Sequence, residues 1–573
     1  MMGVTIVDFE FFAPEGERPL PVCVVSQDLQ SGNVEKIWLE GINSPSCPYP
    51  TSDDDLFVAF YASAEIGCHL SLGWPVPDRV LDLFTEHRTL TNGLGVRNGL
   101  LDACEYWKAG IGSASQKHDM REVIMRGPPY SDEEKSLILQ YCESDVRLTA
   151  DLYRKMETWI DIPRALFRGR YMAAVANMEF RGIPIDTDTL QRLKIHWGAL
   201  QERLIAEVDR SYGVYEGRTF KIELFEKYLA ERGIAWPRTE TGKPSLSDDT
   251  FKDMTKTHPE LQGLKDLRYI LGQLRLNALA IGSDGRNRTL LSPFRAKTGR
   301  NQPSTSKFIY GPAVWLRGLI KPEAGRALAY VDYSQQEFAL AAYLSGDHNM
   351  IKAYESGDPY LTFAQMAGAA PSGATKQTHG AIREQFKVCA LAVQYGMREH
   401  SLASQLNKPI PYAIELIRHH KRAFKQFWQW SDRILDAFSL AGCLSTSFGW
   451  QFRFSHQEGL RANSVKNWPM QATGAEILRL ACVLLEDAGI NVIAPVHDAV
   501  LIEAPLESIE DAIRTTQHRM EDASRHVLGV DAVIRTDAEI VRYPDRYADK
   551  RGVDTWQRIT RLLDEIELEG HAV

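Results

Sequence analysis

One segment constrains the fold more than any other: Leu328-Ala-Tyr-Val-Asp-Tyr-Ser-Gln-Gln-Glu-Phe-Ala-Leu340, an apolar strand that ends in Asp332 and runs into a helix beginning near Ser334. A second carboxylate stands in Val492-Ile-Ala-Pro-Val-His-Asp-Ala-Val-Leu-Ile-Glu503, where two apolar runs flank His497-Asp498 in the manner of a β-hairpin. Pairing of these strands would bring Asp332 and Asp498 together across a long stretch of sequence. A lone acid at a strand end is usually only a cap or turn residue, so the pattern needs a third element.

That element is Arg383-Glu-Gln-Phe-Lys-Val-Cys-Ala-Leu-Ala-Val-Gln-Tyr-Gly396. Arg383, Lys387, Leu391 and Tyr395 recur every fourth residue and form one helical stripe, drifting by only ~40° per step. Two cations followed by an aromatic ring offer charge to phosphates and a π-face to a base. The bland alternative is an amphipathic core helix with two snorkelling cations.

A separate constellation opens the chain. In Val4-Thr-Ile-Val-Asp-Phe-Glu-Phe-Phe12 the two-residue period of a strand puts Asp8 and Glu10 on one face, with Val7, Phe9 and Phe11 on the other. In Tyr141-Cys-Glu-Ser-Asp145 helical spacing puts Tyr141 beside Asp145, within a helix expected over Ser131 to Trp159 behind the capping signature Ser131-Asp-Glu-Glu134. Clustered carboxylates suit hard divalent cations, and a metal pair can activate water against a phosphodiester.

A chain of 573 residues is too long for one core and reads as two or three domains. Its net charge of -9 is unevenly spread: residues 1–60 hold ten acidic and two basic side chains, residues 261–321 eleven basic and two acidic. The basic strip, with Arg286, Arg288, Arg295, Lys297, Arg300, Lys307, Arg317 and Lys321, could replace counterions along a phosphate backbone, or be a solvated surface. Eight scattered cysteines without a C-x-x-C pair argue against zinc and disulfides and for reduced thiols in a cytoplasm, and no apolar run is long enough for a membrane span. Helices are expected over 165–180, 188–210 and 261–279, with a flexible or DNA-contacting loop at Pro237 to Asp249.

Residues 1–155 resemble the proofreading exonucleases of the DEDDy group, which have an α/β RNase H-like fold. The resemblance implies Asp8, Glu10 and Asp145 as metal ligands and Tyr141 as the residue orienting the attacking water. In Tyr61-Ala-Ser-Ala-Glu65, Glu65 is the only acidic candidate for the remaining ligand, without the Asn normally found four residues earlier; Asp82, in Val80-Leu-Asp-Leu83, reads instead as a residue supporting the ligands from behind or as a structural one.

Residues 165–545 resemble motifs A, B and C of family A DNA polymerases, of the bacterial polymerase I type. Supporting matches are Thr298-Gly-Arg300, Arg317, Gly442 with Thr446 and Gly449, Asn467-Trp-Pro-Met-Gln471, and Met178-Glu-Phe-Arg-Gly-Ile-Pro-Ile-Asp186. The resemblance implies an α+β right-hand polymerase domain: an exonuclease over 1–160 and a polymerase over 161–573, with thumb about 165–290, palm about 291–350 and 440–573, and fingers about 351–439. It implies two Mg2+ in each site, with Mn2+ as a possible substitute; Asp332, Asp498 and the carbonyl of Tyr333 would hold the polymerase pair. Arg383 and Lys387 would grip the triphosphate and Glu337 would exclude a ribose 2′-hydroxyl. Tyr395 would close over the nascent pair. Arg300, Gln471 and His497 would touch primer or template, and Gln335 and Tyr360 would contact substrate. Primer-template DNA and dNTPs are the implied partners, with a monomeric, phage-type enzyme lacking a 5′ nuclease expected. Departures are Leu391 for an aromatic residue, Ala499 for a Glu, Gln336 for an apolar residue, Tyr360 for a His and Asn463 for an Arg. Two rivals stay open: a single-subunit RNA polymerase, and a DNA-binding scaffold with inactive sites.

Overall fold

Alternation in the opening segment does produce a strand, β1 (Gly3–Phe12), with Ile6, Val7 and Phe9 buried. In the computed structural model the residues described are 3–41, 45–110, 114–272, 276–311, 313–453 and 461–570. They form two compact units, one from 1–182, 290–303 and 327–540, the other from 183–289, 304–326 and 541–573.

In the first unit β1 pairs antiparallel with β2 (Leu20–Asp28), which pairs with β3 (Val34–Trp38); β1 also pairs in parallel with β4 (Asp55–Ala59), and β4 with β5 (Val80–Asp82). The alternation expected for β1 stops early, because the register with β2 shifts between Glu10 and Phe11. Phe11 therefore leaves the apolar row of Val7 and Phe9 and is only half-buried. The helix Asp132–Met156 packs Ile138, Cys142 and Val146 into the core of this sheet. Its start is the expected capping box: Ser131 Oγ accepts from Glu134 N (3.2 Å) and Glu134 Oε2 accepts from Ser131 N (2.8 Å).

The same unit contains a four-stranded sheet in the order Val492–Val496, Ala499–Pro505, Arg326–Tyr333, Thr536–Arg542. The first two strands are the expected hairpin, turning at His497-Asp498 with His497 in the left-handed region (φ 59°). Helices Ala462–Asp487 and Ile509–Leu528 belong to the same unit.

The second unit is built around helices Thr187–Asp209 and Val553–Gly570, joined by Arg192 to Glu567 (2.9 Å) and Asp564 (2.6 Å). Two expectations are corrected here. The stretch anticipated as one helix over 261–279 is α-helical over Gln262–Gly272 and a short 3-10 turn at Leu276–Ala278; residues 273–275 lie outside those described. Within the loop expected over Pro237 to Asp249, Ser245 N donates to Pro237 O and Thr239 N to Lys243 O (both 2.8 Å). Asp248 and Asp249 already form the first turn of the helix Asp248–Thr257, capped by Ser247.

The basic strip is not one surface either. Arg288 forks onto Asp284 (2.7 and 2.5 Å), Arg286 meets Glu323 (2.6 Å), and Arg317 is buried against Asp549 (2.6 Å), all within the second unit. These cations are engaged internally. Arg295 and Lys297, by contrast, are exposed and belong to the first unit.

The helix Ile162–Arg181 supplies a titratable probe of stability. Glu179 Oε1 accepts from Leu291 N (2.6 Å), and burial pushes its carboxyl from an ordinary 4.5 up to about 8. A carboxyl raised on folding favours the folded state only while protonated, so its contribution is lost as pH rises from 4.5 through about 8. Glu179→Gln keeps the acceptor and removes the charge. Its melting temperature should match the wild type in acid and exceed it increasingly towards pH 8; a constant offset across that range would contradict the assignment.

Candidate active sites

The strand Arg326–Tyr333 buries Ala327, Leu328, Ala329 and Val331 and anchors its end through Tyr333, whose hydroxyl donates to Met520 O (2.7 Å). Asp332 thereby emerges at the strand end, as anticipated, and Asp498 lies in the tight turn of the neighbouring hairpin. The charge of Asp498 bears on Asp332. Burial first, then Asp498, then Asp537 push the Asp332 carboxyl up to about 7. Asp498 is also raised, by burial, while Arg300 and His497 pull it back. Asp332 Oδ1 is buried without a hydrogen-bond partner, a costly arrangement for a carboxylate unless a cation completes it.

Two acids near this point were not anticipated: Asp537 and Glu539, both of which raise Asp332. They lie on the strand Thr536–Arg542, beside the strand of Asp332, and Ser334 Oγ donates to Asp537. The alternation Thr536-Asp-Ala-Glu-Ile was the available signal.

The helix Lys376–Gln394 starts at the Thr375 cap and buries Phe386, Cys389, Ala390 and Val393. The stripe Arg383, Lys387, Leu391 and Tyr395 lies on the other, half-exposed face. Arg383 Nε donates to Asp358 Oδ2 (2.5 Å) and its guanidinium lies 5.4 Å from the ring centre of buried Tyr360. Lys387 Nζ is 3.4 Å from Glu384. Tyr395 caps the helix end, and its hydroxyl donates to Glu337, in the first turn of the helix Gln336–Ser345. Gln335 precedes that helix in the left-handed region (φ 52°) and accepts from Arg535 (3.2 Å).

Arg300, Glu337, Leu340, Gln394, Tyr395, Met470 and Gln471 line one cleft. Arg300, Glu337, Tyr395 and Gln471 are thus gathered at one place. Arg383, Lys387 and Tyr360 are not among its lining residues. Gln336 is buried as an apolar residue would be, and its Nε2, like both amide atoms of Gln394, has no partner. Asn463, noted where an Arg was expected, donates to Gly396 O (3.2 Å), just beyond Tyr395.

At the N-terminal sheet, Asp8 and Glu10 of β1 and Cys142 of the helix Asp132–Met156 hold ligand atoms within 4.8 Å of one another. Cys142 Sγ donates to Asp8 O and Asp8 Oδ2 (both 3.3 Å). This thiol was overlooked, although it lies inside the segment that carries Tyr141 and Asp145. Glu65, on the helix Ala62–Leu72, is buried and accepts from Phe9 N (2.8 Å) through Oε2. Glu10 is held well above the carboxylate range by burial, then by Asp8, with Asp145 and Glu65 adding to it; Glu65 is raised likewise by burial, then Asp8. Tyr141 is raised by burial, then Asp145 and Glu10. Four carboxylates and a phenol therefore share one field. Asp82 also raises Glu65, and it caps the helix Leu83–Thr91, accepting from Thr85 N (2.7 Å) and Ala62 N (2.6 Å).

Comparison with known proteins adds the following. Residues 201–540 match the sequence profile described as DNA polymerase family A. Over 376 residues the chain is 28% identical to the thermostable DNA polymerase I of Thermus caldophilus, covering 61% of this chain and 44% of that protein. Over 433 residues it is 24% identical to DNA polymerase I of Aquifex aeolicus, covering 68% and 73% respectively. The chain thus spans less than half the length of the Thermus relative. In fold it is similar to the POL domain of Pol1 from M. smegmatis, solved in complex with DNA primer-template and dNTP, with TM-score 0.71 at 18% identity over 94% of this chain and 95% of that one. None of its described helices is long and apolar enough to cross a membrane.

Proposed function

The chain belongs to DNA polymerase family A, and from that we propose that it extends the 3′-hydroxyl of a DNA primer with deoxynucleoside triphosphates and trims the same end with a 3′-5′ exonuclease. The observation that carries the first activity is Asp332: a half-buried carboxylate with one buried, unpartnered oxygen, raised by Asp498, in the same unit as a helix that bears two cations on its half-exposed face.

Hard oxygen donors crowded until they repel suit divalent cations, so the residues fit magnesium, or manganese in its place. Asp332, Asp498 and the Tyr333 carbonyl would hold it for extension, and Asp8, Glu10, Glu65 and Asp145 for trimming. Bound there, the ions lower the pKa of the attacking hydroxyl or water and offset charge on the leaving oxygen.

The chain's own side chains supply the rest. Arg383, once it exchanges Asp358 for substrate, and Lys387 take the triphosphate. Arg300, Gln471 and His497 face the primer-template, with Tyr360 packed beneath Arg383. Gln335 orients the loop between Asp332 and the gate. Glu337 and Tyr395, bonded to each other, wall off the position of the sugar's 2′-carbon. In the nuclease, Tyr141 keeps its proton and orients water while Asp145 and Glu65 complete the ligand set.

Primer extension with each nucleotide class tests this reading. Wild-type protein should use deoxynucleotides and discriminate against ribonucleotides, and Glu337→Ala should relax that preference by at least about tenfold, since a steric wall and the acceptor that holds Tyr395 are both removed. Equal use of both sugars by the wild type would instead indicate an RNA polymerase, and no extension at all a DNA-binding scaffold.

A further inference from the structure

We infer that the second helix of the N-terminal sheet domain is part of the polymerase site: Arg88 and Asn92 are positioning residues that hold the segment 294–297, so that Arg295, Lys297 and Arg300 meet the DNA backbone. This inference rests on the polymerase reading and extends it into the nuclease-like domain.

The segment 290–303 is short of regular structure and contains two non-glycine residues in the left-handed region, Ser292 (φ 48°) and Phe294 (φ 57°). Such conformations are strained for residues with a side chain and persist only where the surroundings over-determine them. The surroundings here are donors aimed at main-chain carbonyls. Arg88 gives Nε and Nη2 to Phe294 O (3.3 and 3.2 Å) and Nη2 to Arg295 O (2.9 Å). Asn92 Nδ2 gives to Lys297 O (2.7 Å) and Gln451 O (2.6 Å), and Arg453 N gives to Asn92 O (2.9 Å). The indoles of Trp450 and Trp468 also donate to Lys297 O (3.1 and 2.9 Å), and Arg479 donates to Gly299 O (2.8 Å).

Helix Leu83–Thr91, which carries Arg88 and ends at Asn92, is itself tied down by a buried fork from Arg168 to Glu86 (2.6 and 2.7 Å). Arg168 also reaches Phe448 O (3.1 Å). With its carbonyls occupied, the segment turns its charged side chains outward: Arg295 and Lys297 are exposed and Arg300 is half-exposed at the cleft beside Glu337 and Tyr395. A fixed main chain presenting three cations is a means of holding phosphates at low entropic cost. Arg88 and Asn92 touch no substrate themselves and act through that main chain.

The test measures binding of a fluorescent primer-template duplex to the full chain, separately from catalysis. Asn92→Asp places a carboxylate against two carbonyl oxygens. Its dissociation constant for the duplex should rise about tenfold and the slope of log K against log salt should shrink by about one to three, as phosphate contacts are lost. Turnover at saturating DNA should hold within about threefold of the wild type. In an Arg300→Ala background the same change should cost less than it does alone, because both act on one contact. Arg88→Lys, which keeps the charge but loses the fork, should give a smaller effect in the same direction and carries the test if Asn92→Asp does not fold. Folded variants with wild-type affinity and salt slope, or effects strictly additive with Arg300→Ala, would overturn the inference. Because the readout is binding, wild-type protein that bound duplex but failed to extend it would count against the polymerase reading and not against this one.

Discussion

Asp332→Asn should lose primer extension by about 10³-fold or more, equivalent to roughly 4 kcal/mol of transition-state stabilisation, while melting no lower than the wild type. The two halves of this result have one cause. Asp332 is pushed up to about 7 from an ordinary 3.8 by burial, Asp498 and Asp537, so in the metal-free protein its ionised form opposes folding. A raised carboxyl stabilises the fold below its unfolded pKa and loses that contribution as pH rises towards 7, so at pH 8 the neutral amide should melt at the same temperature or higher. Magnesium should raise the wild type's melting temperature and do less for the variant, because a ligand that binds only the folded state stabilises it. Extension within tenfold of the wild type would remove Asp332 from the chemistry. A large drop in melting temperature at pH 8 would mean that the residue supports the fold instead.

The second large effect concerns the other sheet. With Asp8→Ala, 3′-end degradation should fall by about 10³-fold or more as the metal set is broken. Extension by the same preparation should stay within about twofold of the wild type, because Asp8 and Asp332 sit on different sheets. Removing one of several mutually repelling carboxylates should also bring Glu10 and Glu65 back towards the ordinary range, since Asp8 is the largest charge acting on each of them. Parallel loss of both activities would indicate a single shared site; retention of degradation would remove Asp8 from the chemistry.

Legibility in the sequence followed the range of the interaction involved. The hairpin around His497-Asp498, the capping box at Ser131 and Glu134, and the stripe from Arg383 to Tyr395 depend on neighbours within a few residues, so local pattern was enough. The β1 alternation failed at Phe11 because a register shift is decided by the partner strand. Asp537 and Glu539 escaped notice for the same reason: an exposed acid on a short strand acquires meaning only from the strand beside it. Cys142 read only as one of eight scattered reduced thiols until the helix carrying it was seated against Asp8.

Charge counting was the weakest guide. It grouped Arg286, Arg288 and Arg317 with Arg295, Lys297 and Arg300 as one strip, yet the first three are committed to acids in their own unit. By itself the sequence determined the short-range periods, the caps, and the placing of acids at a strand end and a hairpin turn, because each is set by backbone geometry over a few residues. Tertiary structure alone decided which carboxylates feel one another, which cations stay exposed, and that the helix Leu83–Thr91 grips the segment beside the cleft. Electrostatic fields and carbonyl-to-donor bonds act through space, and residues such as Asn92 and Lys297 become neighbours only once the chain has packed.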